Sequence, residues 1–410
     1  MGPDDGLPVH LLPRGGAADG RRPGYHSGVR AGGAGCGDAH LSNFGIFGSA
    51  ERRLVFDVND FDETLPGPWE WDVKRLAASL EVAGRGNGFG GKERREIVMA
   101  SVAGYRQAMR GFAAMTNLDV WYARADVEDL QAQFQSQMKA QQRKMVDKGM
   151  AKARTSDSMK ALGKLTRVVD GRPQIIADPP LIVPITDLLP KDTDQAAFAA
   201  QIKDLLGKYR RTLETDRRFL LETFEYADLA RKVVGVGSVG TRCWIVLMLG
   251  RDDSDPLFLQ VKEAERSVLE DFAGTSEYAN HGQRVVAGQR LMQAASDIFL
   301  GWQRSQAEPD GPHDYYVRQL RDGKASADIE AMTAAGMRAY GELCGWTLAR
   351  SHARSGDRIA IAAYLGQSAV FDQAIAEFAA AYADQNERDH QALAAAVASG
   401  RVTASVEGSA

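Results

Sequence analysis

Leu54-Val55-Phe56 runs straight into Asp57, and this apolar stretch reads as a buried strand, Leu54 to Asp57. Pro66-Gly67-Pro68 breaks it. Apolar residues then recur at Val73, Leu76, Ala77, Leu80 and Ala83, a spacing that predicts a helix over Val73 to Ala83. A second helix is expected over Lys92 to Phe112. Residues 125–165 are polar with a helical period and read as an exposed arm or insertion. Pro179 to Pro184 is an extended linker or edge strand. Residues 193–230 predict one or two amphipathic helices.

The pattern changes at Val233. Three short apolar runs follow, Val233 to Val239, Arg242 to Leu249 and Leu257 to Lys262, and each reads as a strand. A glycine turn joins the first two, and Gly250 to Pro256 joins the last two. Helices are expected at Ala264–Phe272 and Val285–Gln293, and a strand at Tyr315–Leu320. Residues 326–355 predict one long helix, and 358–399 continue helical. No repeat of fixed period is present. The sum is an α+β chain.

Residues 1–35 fit none of this. They are rich in Gly, Pro, Arg and Ala and show no period. A disordered tail is expected, or a non-native N-terminal segment produced by a shifted reading frame. Five stretches result: 1–35; 36–230, carrying two polar loops and a helical insertion; 231–325, rich in strands; 326–400, helical; and a flexible tail at 401–410.

Composition excludes several classes. Net charge is −4, which makes no global case for nucleic acid. The three cysteines stand far apart, without disulfide or zinc spacing. No apolar run is long enough to span a membrane and no signal peptide is evident. A cytoplasmic protein without nucleic-acid or membrane partners is expected.

The chemistry concentrates in two polar loops. Cys36-Gly37-Asp38-Ala39-His40-Leu41-Ser42-Asn43 places an Asp and an Asn five residues apart. Asn59-Asp60-Phe61-Asp62-Glu63 follows one apolar strand later. Three carboxylates (Asp57, Asp60, Asp62) so close together repel unless a cation or basic group compensates. Phosphoryl transfer uses this layout: an Asp orients a hydroxyl, while an Asn and a second Asp hold Mg²⁺, a hard cation. On this reading Asp38 and His40 are catalytic, and Asn43, Asp60 and Asp62 hold the metal, with Asp57 a further choice. Gly235-Val236-Gly237-Ser238-Val239-Gly240 brings backbone N–H groups close to phosphates. The stretch after it is strand-like, which disfavours a dinucleotide fold. Lys262, ending a strand, contacts the phosphates, with Glu270 or Glu265 as its carboxylate partner. Asp72 caps a helix and props the first loop.

Two phosphatase patterns compete. Gly37-Asp38-Ala39-His40 matches the first motif of calcineurin-like phosphoesterases, but the seven histidines do not supply the rest. Asp60-Phe61-Asp62-Glu63-Thr64 matches the nucleophile motif of haloacid-dehalogenase phosphatases, with Asp252-Asp253 as a late acidic pair. Asn59 then stands where an apolar residue is expected.

Over about residues 36–400 the chain resembles the bacterial family called domain of unknown function 2252. The stretches that carry the resemblance begin at Cys36, Asn59, Gly235 (Gly-Val-Gly-Ser-Val-Gly-Thr-Arg) and Ala349 (Ala-Arg-Ser-His-Ala-Arg-Ser-Gly-Asp). The first two are also similar to the catalytic and metal loops of aminoglycoside phosphotransferases and choline kinases. Asp38, His40 and Asn43 match one loop, and Asp60-Phe61-Asp62 matches the other. Gly67-Pro68 with Trp71-Asp72 matches a third motif, while Cys36 replaces a His. The glycine turn and Lys262 come after the catalytic loop, the reverse of the kinase order. The resemblance implies a circularly permuted, protein-kinase-like, two-lobe fold: a helical large lobe and a small antiparallel sheet lobe. It implies ATP and Mg²⁺ as cofactors and an unknown hydroxyl acceptor, a small molecule or a protein. A nucleotide-binding regulator without catalysis is the alternative, and a metal-dependent phosphatase a third. Arg318, Arg350, His352, Arg354 and Asp357 are expected on the acceptor side.

Overall fold

The computed structural model describes residues 33–129, 151, 158–169, 171–189, 194–233, 241–306, 311–320 and 325–402. It begins with a short strand, β1 (Ala34–Gly35), and a single turn of 3₁₀ helix at Leu41–Asn43. The hairpin of β2 (Phe44–Gly48) and β3 (Leu54–Val58) follows, then β4 (Leu65–Pro66). Helices α1 (Glu70–Gly86), α2 (Gly91–Ala114) and α3 (Asn117–Tyr122) precede β5 (Ala125–Asp126). Next come α4 (Ser158–Leu165) and the hairpin of β6 (Thr166–Val169) and β7 (Arg172–Ile175). They are followed by β8 (Ile182–Pro184), α5 (Ile185–Leu188), α6 (Gln195–Arg210) and α7 (Thr215–Leu221). The strands β9 (Glu225–Lys232), β10 (Cys243–Leu249) and β11 (Pro256–Ala264) come next. After them stand α8 (Glu270–Ala273), α9 (His281–Met292), β12 (Gly301–Ser305), β13 (His313–Gln319) and β14 (Ala325–Ser326). The chain closes with α10 (Ala334–Ser355), α11 (Arg358–Leu365) and α12 (Val370–Ala398).

Over the described residues the fold is mixed, 50% helix and 21% strand, with several antiparallel sheets. The larger sheet has the order β12-β13-β11-β10-β9-β8, and its neighbours pair antiparallel. A smaller sheet has the order β14-β2-β3-β5, and β1 pairs with β4. Strand alternation splits the larger sheet between two cores. Leu229, Val246, Leu259 and Val317 pack with Tyr209 and Leu213 from the α6 side. Ala230, Ile245, Leu247 and Phe258 pack with Ala161 and Leu165 of α4. The main core lies among α1, α2, α10 and the β2–β3 hairpin. Helices α2 and α10 approach so closely that a Cβ on Gly345 would stand 2.1 Å from the Ser101 carbonyl oxygen, so only glycine fits there.

Several elements differ from the sequence pattern. Residues 225–230 were expected to end a helical region and instead belong to β9. Leu229 and Ala230 feed opposite cores, a two-sided burial that only a strand provides. Val233 lies outside any strand, and the rest of the predicted Val233–Val239 strand, with the glycine turn, lies outside the described residues. Of the helix expected at Ala264–Phe272, only α8 forms. Ala264 ends β11, and the segment after it bonds elsewhere: Ser267 Oγ donates to the Glu63 carbonyl at 2.8 Å and the Val268 N–H to Glu63 Oε2 at 2.8 Å. The long helix begins at Ala334, where Thr333 caps it by accepting from the Gly336 N–H. Gly366, at φ +61°, divides the final helical region into α11 and α12. The aperiodic N-terminal stretch ends by residue 33, because Ala34–Gly35 is already paired. Most of the predicted 125–165 arm lies outside the described residues. Among the described residues no single helix is long and apolar enough to cross a membrane.

Candidate active site

The first loop leaves β1 through Gly37, whose φ is +83° and whose Cβ would meet the Glu63 carbonyl oxygen at 2.6 Å. Asp72, in the first turn of α1 and 2% exposed, holds this loop from below. Its carboxylate accepts from the Cys36 N–H at 2.6 Å and the Gly37 N–H at 3.0 Å. His352 of α10 brings Nε2 to 3.1 Å from the same carboxylate, and its Nδ1 meets the Tyr105 hydroxyl at 2.9 Å. Three helices thus converge on one loop.

Asn43 ties the first loop to the second. Its Nδ2 donates to the carbonyl oxygens of Asp38 (3.0 Å) and Asp60 (2.9 Å), and its Oδ1 accepts from the Asp60 N–H at 2.7 Å. This uses the side chain on both sides and buries it, with 4% exposed. Asn43, expected as a metal ligand, here clamps the two loops together.

Across the gap stands Lys262 of β11. Its ammonium lies 3.1 Å from Asp60 Oδ2 and also pairs with Asp62 Oδ2. These partners are about two hundred residues apart in the chain. Lys262 is buried, whereas the Asp60 and Asp62 side chains keep 42% and 34% of their exposure. Asp62 Oδ1 is enclosed and has no hydrogen-bond partner among the described residues. Tyr316 and Arg318 of β13 flank the cluster; Arg318 Nη1 donates to the Asn59 carbonyl at 3.0 Å. Asp38 is open, at 46% side-chain exposure, with Arg75 Nε on its Oδ1 at 2.9 Å and His40 Nε2 3.5 Å from Oδ2.

Charge orders the cluster. Burial alone would raise the Asp60 carboxyl, but Lys262 and Arg318 outweigh it and hold it down at about 2. Asp62 moves the other way, pushed up by burial and then by Asp60 beside it. Burial opposes the charge on Lys262, yet the two carboxylates keep its pKa above the usual lysine value. Burial lowers the His40 pKa, so this imidazole is neutral at neutral pH.

Other predicted residues stand elsewhere. Glu270 does not meet Lys262; its Oε2 lies 3.4 Å from Arg266 Nε on the preceding loop. Glu265 is exposed. Of the acceptor-side set, Arg318 flanks the cluster and the other four pack into the framework. Arg350 is buried against Asp57, His352 against Asp72, Arg354 donates to the Gln293 carbonyl at 2.6 Å, and Asp357 caps α11. These are framework contacts. Asp252 and Asp253 lie in the β10–β11 turn, at the sheet end opposite Lys262, so they cannot serve Asp60 as a late acidic pair. The glycine-turn residues Gly235, Gly237, Ser238 and Gly240 lie outside the described residues. β10 starts at Cys243, which the register places opposite Lys262. Sequence reasoning missed Arg75 and Tyr316. Arg75 sits one turn beyond Asp72 on the same face of α1, a spacing that was readable. Tyr316 faces Lys262 only through the β11–β13 register.

The model of the family described as "Uncharacterized protein conserved in bacteria (DUF2252)" matches residues 32–396. The chain belongs to the DUF2252 family. No curated protein and no solved structure matches it.

The charge pattern of this DUF2252 protein has a testable consequence. Asp60 holds its proton less readily folded than unfolded. Its ionised form therefore stabilises the fold above about pH 4, the ordinary carboxylate value, and that stability is lost as pH falls toward about 2. Asp60→Asn is expected to destabilise the chain at neutral pH, with the gap to wild type closing in acid. Asp62→Asn is expected to cost less at neutral pH, because the Asp62 carboxyl resists ionisation. Urea midpoints at neutral pH and near pH 3 read both; an equal cost at both pH values would contradict the assignment.

Proposed function

We propose that this DUF2252 protein is an ATP- and Mg²⁺-dependent phosphotransferase with a circularly permuted kinase-like core. The carrying observation is the meeting of Lys262 with Asp60 and Asp62. In phosphoryl transfer a lysine on the third strand of a sheet contacts the phosphates and an Asp in a facing loop holds the metal. Lys262 is on the third strand after β9 and β10, and a glycine-rich sequence joins β9 to β10. Permutation is supported by the approach of the α10 end to the chain's first described strand. Ser355 Oγ donates to the Ala34 carbonyl at 3.1 Å, and a Cβ on Gly33 would touch Gly356. A chain running from α10 directly into the Asp38 loop would thus have the same spatial order.

The carboxylates fit the cation. Asp60 and Asp62 offer hard oxygens, and the enclosed Asp62 Oδ1 lacks a donor. Among the described residues no group of three or more His, Cys, Asp or Glu is placed to hold a metal ion, so phosphate oxygens and water would complete its shell. Bound there, magnesium would neutralise charge on the phosphates. Lys262 is released from the carboxylates toward the nucleotide, and Asp38, open to solvent, orients the acceptor hydroxyl. The inward turn of Asn43 favours a second reading, nucleotide binding without transfer.

Calorimetry with ATP, with and without Mg²⁺, tests the proposal on wild type, Lys262→Ala and Asp60→Ala. Magnesium-dependent binding is expected, weakened about tenfold or more by each change, which is about 1.4 kcal/mol. Binding without phosphate transfer would favour the regulator. No binding by a folded chain would sink both readings, and phosphomonoester hydrolysis without ATP would then support a phosphatase.

A further inference from the structure

Beyond Arg318 lies a cleft of about 480 Å³ that the carboxylate–lysine cluster does not use. It opens between the β2–β3 turn, the Pro256 end of β11 and the segment joining α9 to β12. One wall is apolar, formed by Phe47, Leu257, Ile298 and Phe299. The other carries two polar side chains with unused capacity. Gln289 is 4% exposed; its Nε2 donates to Gln293 Oε1 at 2.9 Å, and its own Oε1 is enclosed with no partner among the described residues. Arg318 donates through Nε to Gln260 Oε1 and through Nη1 to the Asn59 carbonyl, so Nη2 makes no hydrogen bond among the described residues.

A buried amide oxygen without a donor carries a desolvation cost of about 1–3 kcal/mol, which an incoming donor relieves. The volume falls in the range of small-molecule pockets. We propose that this cleft is a second small-molecule site, for a compound with an apolar body, one hydrogen-bond donor and one anionic group. The donor meets Gln289 Oε1, the anion meets Arg318, and the body lies on the phenylalanine wall.

Arg318 couples the two sites. Its Nη1 donates to the Asn59 carbonyl, one residue before Asp60, while the guanidinium also lines the cleft. An anion in the cleft competes with Asp60 for the same guanidinium, so each weakens the other's hold on it, reciprocally. Such a ligand acts on the cluster without touching it.

Anilinonaphthalene sulfonate carries all three groups: an aromatic body, an N–H and a sulfonate. Titrated into the full chain and followed by its fluorescence, it is expected to saturate one site. Gln289→Leu is expected to weaken it about tenfold. Ala50→Trp at the exposed rim and Ser296→Trp deeper in are expected to block it. Melting by circular dichroism shows which variants keep the fold. Asp60→Asn is expected to tighten the probe. Unsaturable binding, or binding unchanged in a rim variant that melts like wild type, overturns the site. Unchanged affinity in Asp60→Asn overturns the coupling. Neither outcome depends on ATP, so the site and the proposed phosphotransfer fail separately.

Discussion

For the phosphotransfer proposed above, replacing Asp38 with alanine is expected to slow Mg²⁺–ATP turnover about 10²–10⁴-fold, the usual worth of a positioned acid–base group, and to leave ATP affinity unchanged. Asp38 contacts neither Lys262 nor the Asp60 and Asp62 carboxylates. Its side-chain partners are Arg75 and His40, and it is almost half exposed. Its loop is held by the Cys36 and Gly37 N–H groups on Asp72, which the substitution does not touch. Nucleotide binding and folding should therefore survive while transfer fails. ADP formation reads the rate and calorimetry reads the affinity. Wild-type turnover in Asp38→Ala would remove Asp38 from the reaction, and a parallel loss of affinity would move it into the nucleotide site.

Arg350→Met is expected to destabilise the fold by about 3–5 kcal/mol, the cost of leaving one partner of a buried ion pair alone. Arg350 and Asp57 are 1% and 0% exposed and pair directly. Burial raises the Asp57 pKa against the pull of Arg350, and burial lowers that of Arg350 against the pull of Asp57. Asp57 Oδ2 also accepts from the Ala294 N–H at 2.8 Å, which joins β3 to the segment after α9. The double change Asp57→Asn, Arg350→Met is expected to recover part of the loss, because no charge stays buried and an amide oxygen still accepts from Ala294, while the amide nitrogen cannot accept from the Val58 N–H. Urea unfolding of the two single variants and the double completes the cycle. A cost for Arg350→Met below about 1 kcal/mol, the scale of exposed pairs, would mean that water reaches Asp57.

The two predictions separate roles that look alike in sequence. Asp38, Asp57, Asp60 and Asp62 are four carboxylates within 25 residues. Their surroundings make one open, one a sealed structural pair, one strongly ionised and one reluctant to ionise. Nothing in their spacing distinguishes them, since the difference comes from Arg350, Lys262 and Arg318, each two hundred or more residues along the chain.

Local chemistry was legible. The apolar run at Leu54 and the helical periods of α1 and α2 follow from residues close in sequence, where steric fit and backbone hydrogen bonding act over a few positions. Family membership is equally a property of the string. Long-range pairing was not legible. Lys262 was read as a phosphate contact beside Glu270, and the β11 register with the folded loop at Glu63 sends it to Asp60 and Asp62 instead. Residues 225–230 were read as the end of a helical stretch, and two cores on opposite faces make them part of a strand. Arg350, His352 and Arg354 looked like substrate contacts because charge in a sequence implies exposure. Packing of α10 against α2 buries the first two, and Asp57 of β3 and Asp72 of α1 pair with them, since a buried charge persists only where the tertiary fold brings its counter-ion to it.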